Sequence, residues 1–421
     1  MAVQRRITVR LYPTEAQTAR MDEIRISHQA LYNAALEERI SAYKKNVRIG
    51  FKEQARSLTI IRAEHPEYRE ITQRGQNMTL KRLDIAYKAF FRRVKAGQTP
   101  GFPRFKSFRR YPGWSLSAGE GYKYKPKVNE KGRYFNGVLW LRGLGAIRCR
   151  SKARNKGGEV KQIDITKRAE RWYVSIVVAC APEREHGKKA AGLDWGVNDL
   201  ATLAYADCTT ATVINDRLFK KQQADAAQRA RKASKSLRGK RSNRAKAKHL
   251  QIARAHGKLA NQRKDRAHKL SAKLVSEHAL IATEELKIAN MTRSAKGTTE
   301  KPGKMVAQKA GLNREILDTA PGMLMQLLKT KAEEAGSILE FINTRKVKPS
   351  QTCPQCWARK KKTLAERVHA CNCGLTMNRD GAAALVMLLS SETYQGRKPA
   401  SGSFPKTPPR INAARLRPAA L

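Results

Sequence analysis

Residues 368–384 read VHACNCGLTMNRDGAAA. Two cysteines sit one residue apart, and a lone carboxylate, Asp380, follows at the head of the apolar run GAAALVMLL (381–389). That run predicts a buried helix starting beside Asp380, with a metal-type thiolate pair just upstream. The first pair that could complete such a site lies earlier, at Cys353-Pro-Gln-Cys356. Two close pairs, Cys353/Cys356 and Cys371/Cys373, bracket a short basic loop. This is the pattern of a zinc ribbon, in which two turns present four thiolates tetrahedrally. The second pair is Cys-x-Cys where Cys-x-x-Cys is usual, and His369 beside it stays open as a substitute ligand. Four protein ligands leave no open coordination position, so one structural Zn²⁺ is expected. The other cysteines, Cys149, Cys180 and Cys208, are scattered singly. An odd total with one tight cluster points to a reducing compartment and not to a disulfide framework.

The 421-residue chain is long enough for two or three domains. It carries 86 Lys plus Arg against 35 Asp plus Glu, a formal net charge of +51. Self-repulsion on that scale calls for a polyanionic partner, and the excess is spread along most of the chain, which points to nucleic acid. No stretch is long and apolar enough to span a bilayer, and MAVQRRITVRLYP has no signal-peptide core. The expectation is a cytoplasmic monomer with no membrane partner, associated with the nucleoid when bound to DNA.

The patterning divides the chain. RRITVRLY (5–12) alternates as a strand, and residues 14–109 read mostly as helices, forming a helical lobe. PGFPRFKSFRRYPGW (100–114) is a turn segment rich in Pro, Gly and aromatics, with four basic residues. Short β-branched runs such as WYVSIVVACA then predict a small β-barrel or sandwich over 110–185, completed by residues 1–13. A new α/β unit covers 186–345 and 377–393, with the zinc ribbon of 346–376 set into it. Within it, residues 217–274 hold about twenty Lys or Arg and two acids, predicting basic helices over 217–276. Like charges at helical spacing repel, and phosphates along the helices would relieve that repulsion. The tail, 394–421, is rich in Pro, Ser, Arg and Lys and is expected to be disordered. The fold class is therefore α+β multidomain.

Acids are sparse, so their placement is informative. Asp194 follows an apolar strand start in AAGLDWG, and Glu284 ends ALIATE. Carboxylates at adjacent strand ends and at a helix start can converge at one edge of a sheet. Such oxygen donors suit Mg²⁺, and two ions about 4 Å apart would support phosphodiester hydrolysis.

GLDWGVNDLA, IATEELKIANM and CGLTMNRDGAAA together resemble the three RuvC motifs of the TnpB family, the transposon-encoded RNA-guided nucleases related to compact type V CRISPR effectors. VRLYPTEAQTA, AYKAFFRRVKAGQTPGFPRFK and SQTCPQC are similar to its N-terminal, recognition-lobe and zinc-ribbon segments, in the same order, over roughly residues 1–390. The resemblance implies a wedge-type barrel with an inserted recognition lobe, followed by an RNase H-like (RuvC) domain with an inserted ribbon. It implies catalytic roles for Asp194, Glu284 and Asp380, holding two Mg²⁺ or Mn²⁺ ions, and partners that are a transposon-derived guide RNA and a target DNA with a short adjacent motif. Two departures stand out: Asn378 replaces the first acid of the last motif, and Gly381-Ala382 replaces a frequent Asn.

Nucleic-acid contacts are expected at Arg92, Arg93, Arg104, Lys106, Arg109 and Arg110, and at Arg238, Lys240, Arg241 and Arg244. Phe102 and Phe105 accompany the first set, whereas Phe90 and Phe91 are read as helix core. The competing readings are a type V CRISPR effector using a CRISPR RNA and an RNA-guided DNA-binding repressor with little cleavage. The repressor would show loss of one of the three acids, and all are present. A transposase that joins DNA ends shares such acids, but the guide-binding lobe and basic helices argue against it.

Overall fold

The computed structural model describes residues 3–119, 121–127, 136–150, 158–215, 224, 225, 227–232, 242–363, 365–396 and 414–416. The chain forms two compact units, Met1–Ala181 and Pro182–Leu421.

The first unit is built on seven strands: β1 Val3–Tyr12, β2 Gly113–Ser117, β3 Tyr122–Lys127, β4 Asn136–Leu141, β5 Gly145–Arg150, β6 Glu159–Arg168 and β7 Arg171–Cys180. Their order is β2-β6-β7-β1-β5-β4-β3, antiparallel throughout. The first strand of the chain is thus central, paired with β7 from Val3↔Cys180 to Arg10↔Tyr173. Alternation buries Val9, Leu11, Ile163, Ile165, Val174 and Ile176 in one core. The closed barrel expected from the sequence is here an open half-barrel: among the described residues, β2 and β3 end the sheet and do not pair.

Between β1 and β2 come α1 Glu15–Lys44, α2 Phe51–Glu64 and α3 Gln73–Lys95. α1 starts at Thr14, whose hydroxyl accepts from the Gln17 amide while the Gln17 side chain accepts from the Thr14 amide. Leu31, Leu36, Leu58, Leu80 and Leu83 form the helical core. His28 of α1 stacks on Trp114 of β2 with ring centroids 6.0 Å apart and shares a 2.8 Å hydrogen bond with Thr79. Burial holds its pKa down, to about 3, so the ring is neutral. Phe90 and Phe91, expected in this core, are not there: Phe91 is exposed and Phe90 half-buried. Phe90 instead meets Phe91 and Phe102, within a run, 91–102, that is exposed throughout.

The second unit holds β8 Lys189–Trp195, β9 Asp199–Ala204, β10 Thr210–Ile214, β11 His278–Glu284 and β12 Ile338–Ile342, in the order β12-β11-β8-β9-β10. β8, β11 and β12 are parallel, and β9 and β10 are antiparallel neighbours. Four helices matter here: α4 Asn243–Glu277, α5 Val306–Thr319, α6 Pro321–Ala335 and α7 Arg379–Leu389. Ala191 and Leu193 of β8 pack with Ala267, Leu274 and Leu328 of α4 and α6. Residues of opposite parity meet α7, whose residues from Gly381 to Leu389 are all buried. A Cβ on Gly192 would lie 1.7 Å from the Ala384 carbonyl oxygen, so strand and helix touch backbone to backbone.

Of the expected basic helices, α4 is a single 35-residue helix capped by Ser242. Arg238, Lys240 and Arg241 lie outside the described residues. Along residues 243–258 only Ala245 is buried. The tail expected to be without structure contributes β15, Ala414–Leu416, which extends the sheet parallel to β10. The unpaired edge of β10 provides the hydrogen-bonding groups for it. Among the described residues no helix is long and apolar enough to cross a membrane.

Two glycines should respond oppositely to alanine. Gly192→Ala forces a methyl into the α7 backbone and is expected to cost about 1–3 kcal/mol or more. A Cβ on Gly257, within α4, meets nothing within 4 Å, so Gly257→Ala should stabilise by about 1 kcal/mol. Urea unfolding of both variants checks the pair.

Candidate active site

β11 lies beside β8 in parallel register, with Thr283 opposite Leu193. The next residues, Asp194 and Glu284, therefore emerge at the same end of the sheet. The Thr283 hydroxyl donates to the Leu193 carbonyl at 2.8 Å and fixes this register from within. α7 brings the third acid. Its contact with Gly192 is at Ala384, one turn beyond Asp380, so the start of the helix reaches toward the strand end that carries Asp194.

The two departures in the last motif have local explanations. Asn378 is the N-cap of α7: its side-chain oxygen accepts from the amides of Asp380 at 2.8 Å and Gly381 at 3.2 Å. Gly381 faces β10, where a Cβ would stand 2.8 Å from the Thr210 methyl. A larger residue there would push the helix start off the sheet.

The other two acids act electrostatically on Asp194. Burial first, then the charges of Asp380 and Glu284, raise the pKa of Asp194 well above the carboxylate range, and Arg379 opposes the rise. Burial also raises that of Glu284. Arg379 Nε lies 3.6 Å from an Asp380 oxygen. Such a set of hard oxygen donors, held together against repulsion, fits divalent cations. The carboxylates are not closed around one point: among the described residues, only the four cysteines form a group with all ligand atoms within 4.8 Å.

Those cysteines meet at Cys353 Sγ–Cys373 Sγ 3.6 Å and Cys356 Sγ–Cys371 Sγ 3.5 Å. A tetrahedron with bonds of about 2.3 Å has edges of about 3.8 Å, so the sulfur set fits zinc. Burial pushes the Cys353 thiol up to about 12, whereas the Cys373 amide beside it draws the Cys371 thiol down to about 7. His369 is not in the group; its Nδ1 pairs with the Lys362 ammonium. The hairpin of β13 Val368–Ala370 and β14 Thr376–Asn378 ends on the cap of α7. The cysteine module therefore leads directly into the helix that carries Asp380. Cys353 also packs into the core with Leu375, Met377 and Leu385.

The basic residues stand apart from this edge in the chain. Arg92, Arg93, Arg104, Arg109 and Arg110 are exposed in the first unit, with Lys106 partly so, and Arg244 is exposed near the start of α4. Sequence reasoning missed Gly192, Thr283 and the capping role of Asn378. A glycine inside an apolar strand was the available signal for the first.

A raised carboxyl pKa makes the folded state the stronger proton binder. Its penalty is absent below the ordinary carboxylate range and grows as pH rises through the raised value. In chelator, Asp194→Asn should therefore melt several degrees higher than wild type at neutral pH, with the gap closing as pH falls toward the ordinary carboxylate range. Melting curves across pH, repeated with Mg²⁺ to stabilise wild type selectively, measure this.

Three family models match the chain. One described as a probable transposase (OrfB_IS605) covers residues 164–295, one described as a Cas12f1-like TNB domain covers 322–387, and one described as a helix-turn-helix domain covers 1–48. Over that last range the structure has β1 and the single long helix α1. The chain is 34% identical over 281 residues to "Putative RNA-guided DNA endonuclease InsQ" of Escherichia coli (strain K12), covering 66% of this chain and 63% of that one. It is 27% identical over 394 residues to a "Putative RNA-guided DNA endonuclease" of Streptomyces pristinaespiralis, covering 91% and 88%. The chain thus spans somewhat less than two thirds of the E. coli relative's length. Its fold is similar to the protein in "Cryo-EM structure of the Cas12f1-sgRNA-target DNA complex", with a TM-score of 0.58 at 12% identity over 92% of this chain and 99% of that one. The matching models and these relatives together support a TnpB family protein.

Proposed function

We propose that this protein is an RNA-guided DNA endonuclease that cuts through one site of RuvC type formed by Asp194, Glu284 and Asp380. The observation that carries the reading is that Asp194 and Glu284 leave adjacent parallel strands at the same end of the sheet, where the charges of Asp380 and Glu284 add to the effect of burial on Asp194. The strand order β12-β11-β8-β9-β10, with acids on the first and fourth strands in sequence and on the last long helix, supports an RNase H-like domain. The names of the relatives support a guide RNA and a target DNA as partners.

Two divalent cations bound here would supply Lewis acidity and charge neutralisation for phosphodiester hydrolysis. Asp194 and Glu284 provide donors from rigid strand ends, and Asp380 provides one from a capped helix. Binding of positive charge would lower the Asp194 pKa again, opposing the rise that burial and the neighbouring carboxylates cause. Arg379, beside Asp380, limits the repulsion before the ions arrive. The exposed cations of α4 and the first unit would hold phosphate backbones, while base pairing with the guide would supply sequence.

Asp194→Ala should abolish cleavage by the purified guide complex while guided DNA binding stays near wild type in a gel-shift assay. Cutting by that variant would refute the assignment.

We further read Cys353, Cys356, Cys371 and Cys373 as holding one structural Zn²⁺. Elemental analysis is expected to return one zinc per chain. Cys356→Ser should lower that content and the melting temperature, and cleavage should fall with them because the ribbon leads into α7. Full zinc in the variant would exclude this ligand set.

A further inference from the structure

Residues 85–110 hold eight Lys or Arg, no Asp or Glu, and five of the chain's ten phenylalanines. Phe102, Phe108, Phe105 and Phe91 keep between 47% and 55% of their surface exposed. The rings touch one another: Phe102 meets Tyr87 edge-on at 5.6 Å and Phe90 at 5.4 Å, and Phe90 meets Phe91 at 5.1 Å. These four rings form one partly exposed aromatic cluster, with Phe105 and Phe108 exposed on the same loop as Phe102, and such a surface marks an interaction site.

The loop is held so that the rings stay outside. The Lys106 amide donates to Asn33 Oδ1 at 2.9 Å, and its carbonyl accepts from Gln29 at 2.6 Å and Asn33 at 3.0 Å. The buried guanidinium of Arg25 donates to the carbonyls of Phe108 and Tyr111. Pro100 and Pro103 restrict the backbone further. Three polar side chains of α1 thus draw the loop backbone inward, and the aromatic side chains are left facing solvent. Cations stand among the rings. The Arg109 guanidinium lies 5.5 Å from the Phe108 ring centre, and Arg93 lies against Gly101.

We propose that the end of α3 and this loop form a stacking platform for unpaired bases of a single-stranded nucleic acid, with the rings taking base faces and the arginines taking phosphates. The inference rests on the nucleic-acid reading above and adds the strandedness of the ligand. A ring offers every base an equivalent π-face, whereas a duplex keeps its base faces inside the stack. Charge selects the occupant: a second copy of a chain at +51 would bring another acid-free basic surface against this one.

The test uses the full-length chain, a labelled oligothymidylate and a duplex of equal length. A Phe102→Ala/Phe105→Ala double variant should bind the single strand about fivefold to a hundredfold more weakly. Its duplex binding, and the slope of log affinity against log salt, should stay at wild-type values. Arg104→Gln should instead flatten that slope, and Phe102→Trp should retain single-strand affinity. Photocrosslinks from a 5-iodouracil oligonucleotide should fall within residues 87–108. Equal losses on duplex and single strand, crosslinks elsewhere, or a change in particle mass by light scattering in the alanine variant would overturn the platform. Guided cleavage by an alanine variant with unchanged single-strand affinity would remove the platform and leave the endonuclease reading standing. A wild-type chain that binds neither oligonucleotide would remove both.

Discussion

The second unit depends on a backbone contact where β8 crosses α7. Gly192 lets the Ala384 carbonyl come closer than any side chain would allow. With no side chain at Gly192 to hold them apart, the helix backbone approaches the strand directly, one turn beyond Asp380. The small residues Ala382, Ala383 and Ala384 extend the same fit along the helix. Asp380 and Asp194 feel each other because of that spacing, and the electrostatics of the edge follow from it.

Charge distribution gives the edge its chemical character. A chain at +51 could place a cation beside every carboxylate, yet burial and like charge dominate at Asp194, opposed by Arg379 and by a hydrogen bond from the Trp195 amide. Some acids elsewhere are paired: Asp164 accepts from Arg6 and Ser115 at 2.6 Å each, and Asp318 takes Arg263. A carboxylate group left strained against itself, while acids such as Asp164 and Asp318 are neutralised, is poised for an external cation.

The cysteine module and the capping residue act on the same helix from its N-terminal side. β14 ends at Asn378, whose side chain takes the first amides of α7. An aspartate could cap equally well, but it would add a further negative charge beside Asp380. The asparagine therefore keeps the cap and spares the edge a charge. At the other end, Glu340 of β12 accepts from the Ser391 hydroxyl at 2.7 Å and the Glu392 amide at 2.9 Å, tying the exit of α7 to the far strand of the sheet.

Much of this was legible in the chain itself. Alternation marked β1 and the strands of the half-barrel, helical spacing marked the region of α1, and cysteine spacing marked the module that precedes α7. These signals are local, because periodicity, capping and ligand spacing all act within a few residues. Barrel closure, the exposure of Phe91 and the strand made by Ala414–Leu416 were not legible. Each depends on which surface or edge another part of the chain leaves free. Three carboxylates at positions 194, 284 and 380 could be named from their motifs, but the sequence alone does not fix the distances among them. Only the tertiary structure, through strand register at Thr283 and the close contact at Gly192, brought charges separated by many residues near enough to perturb one another.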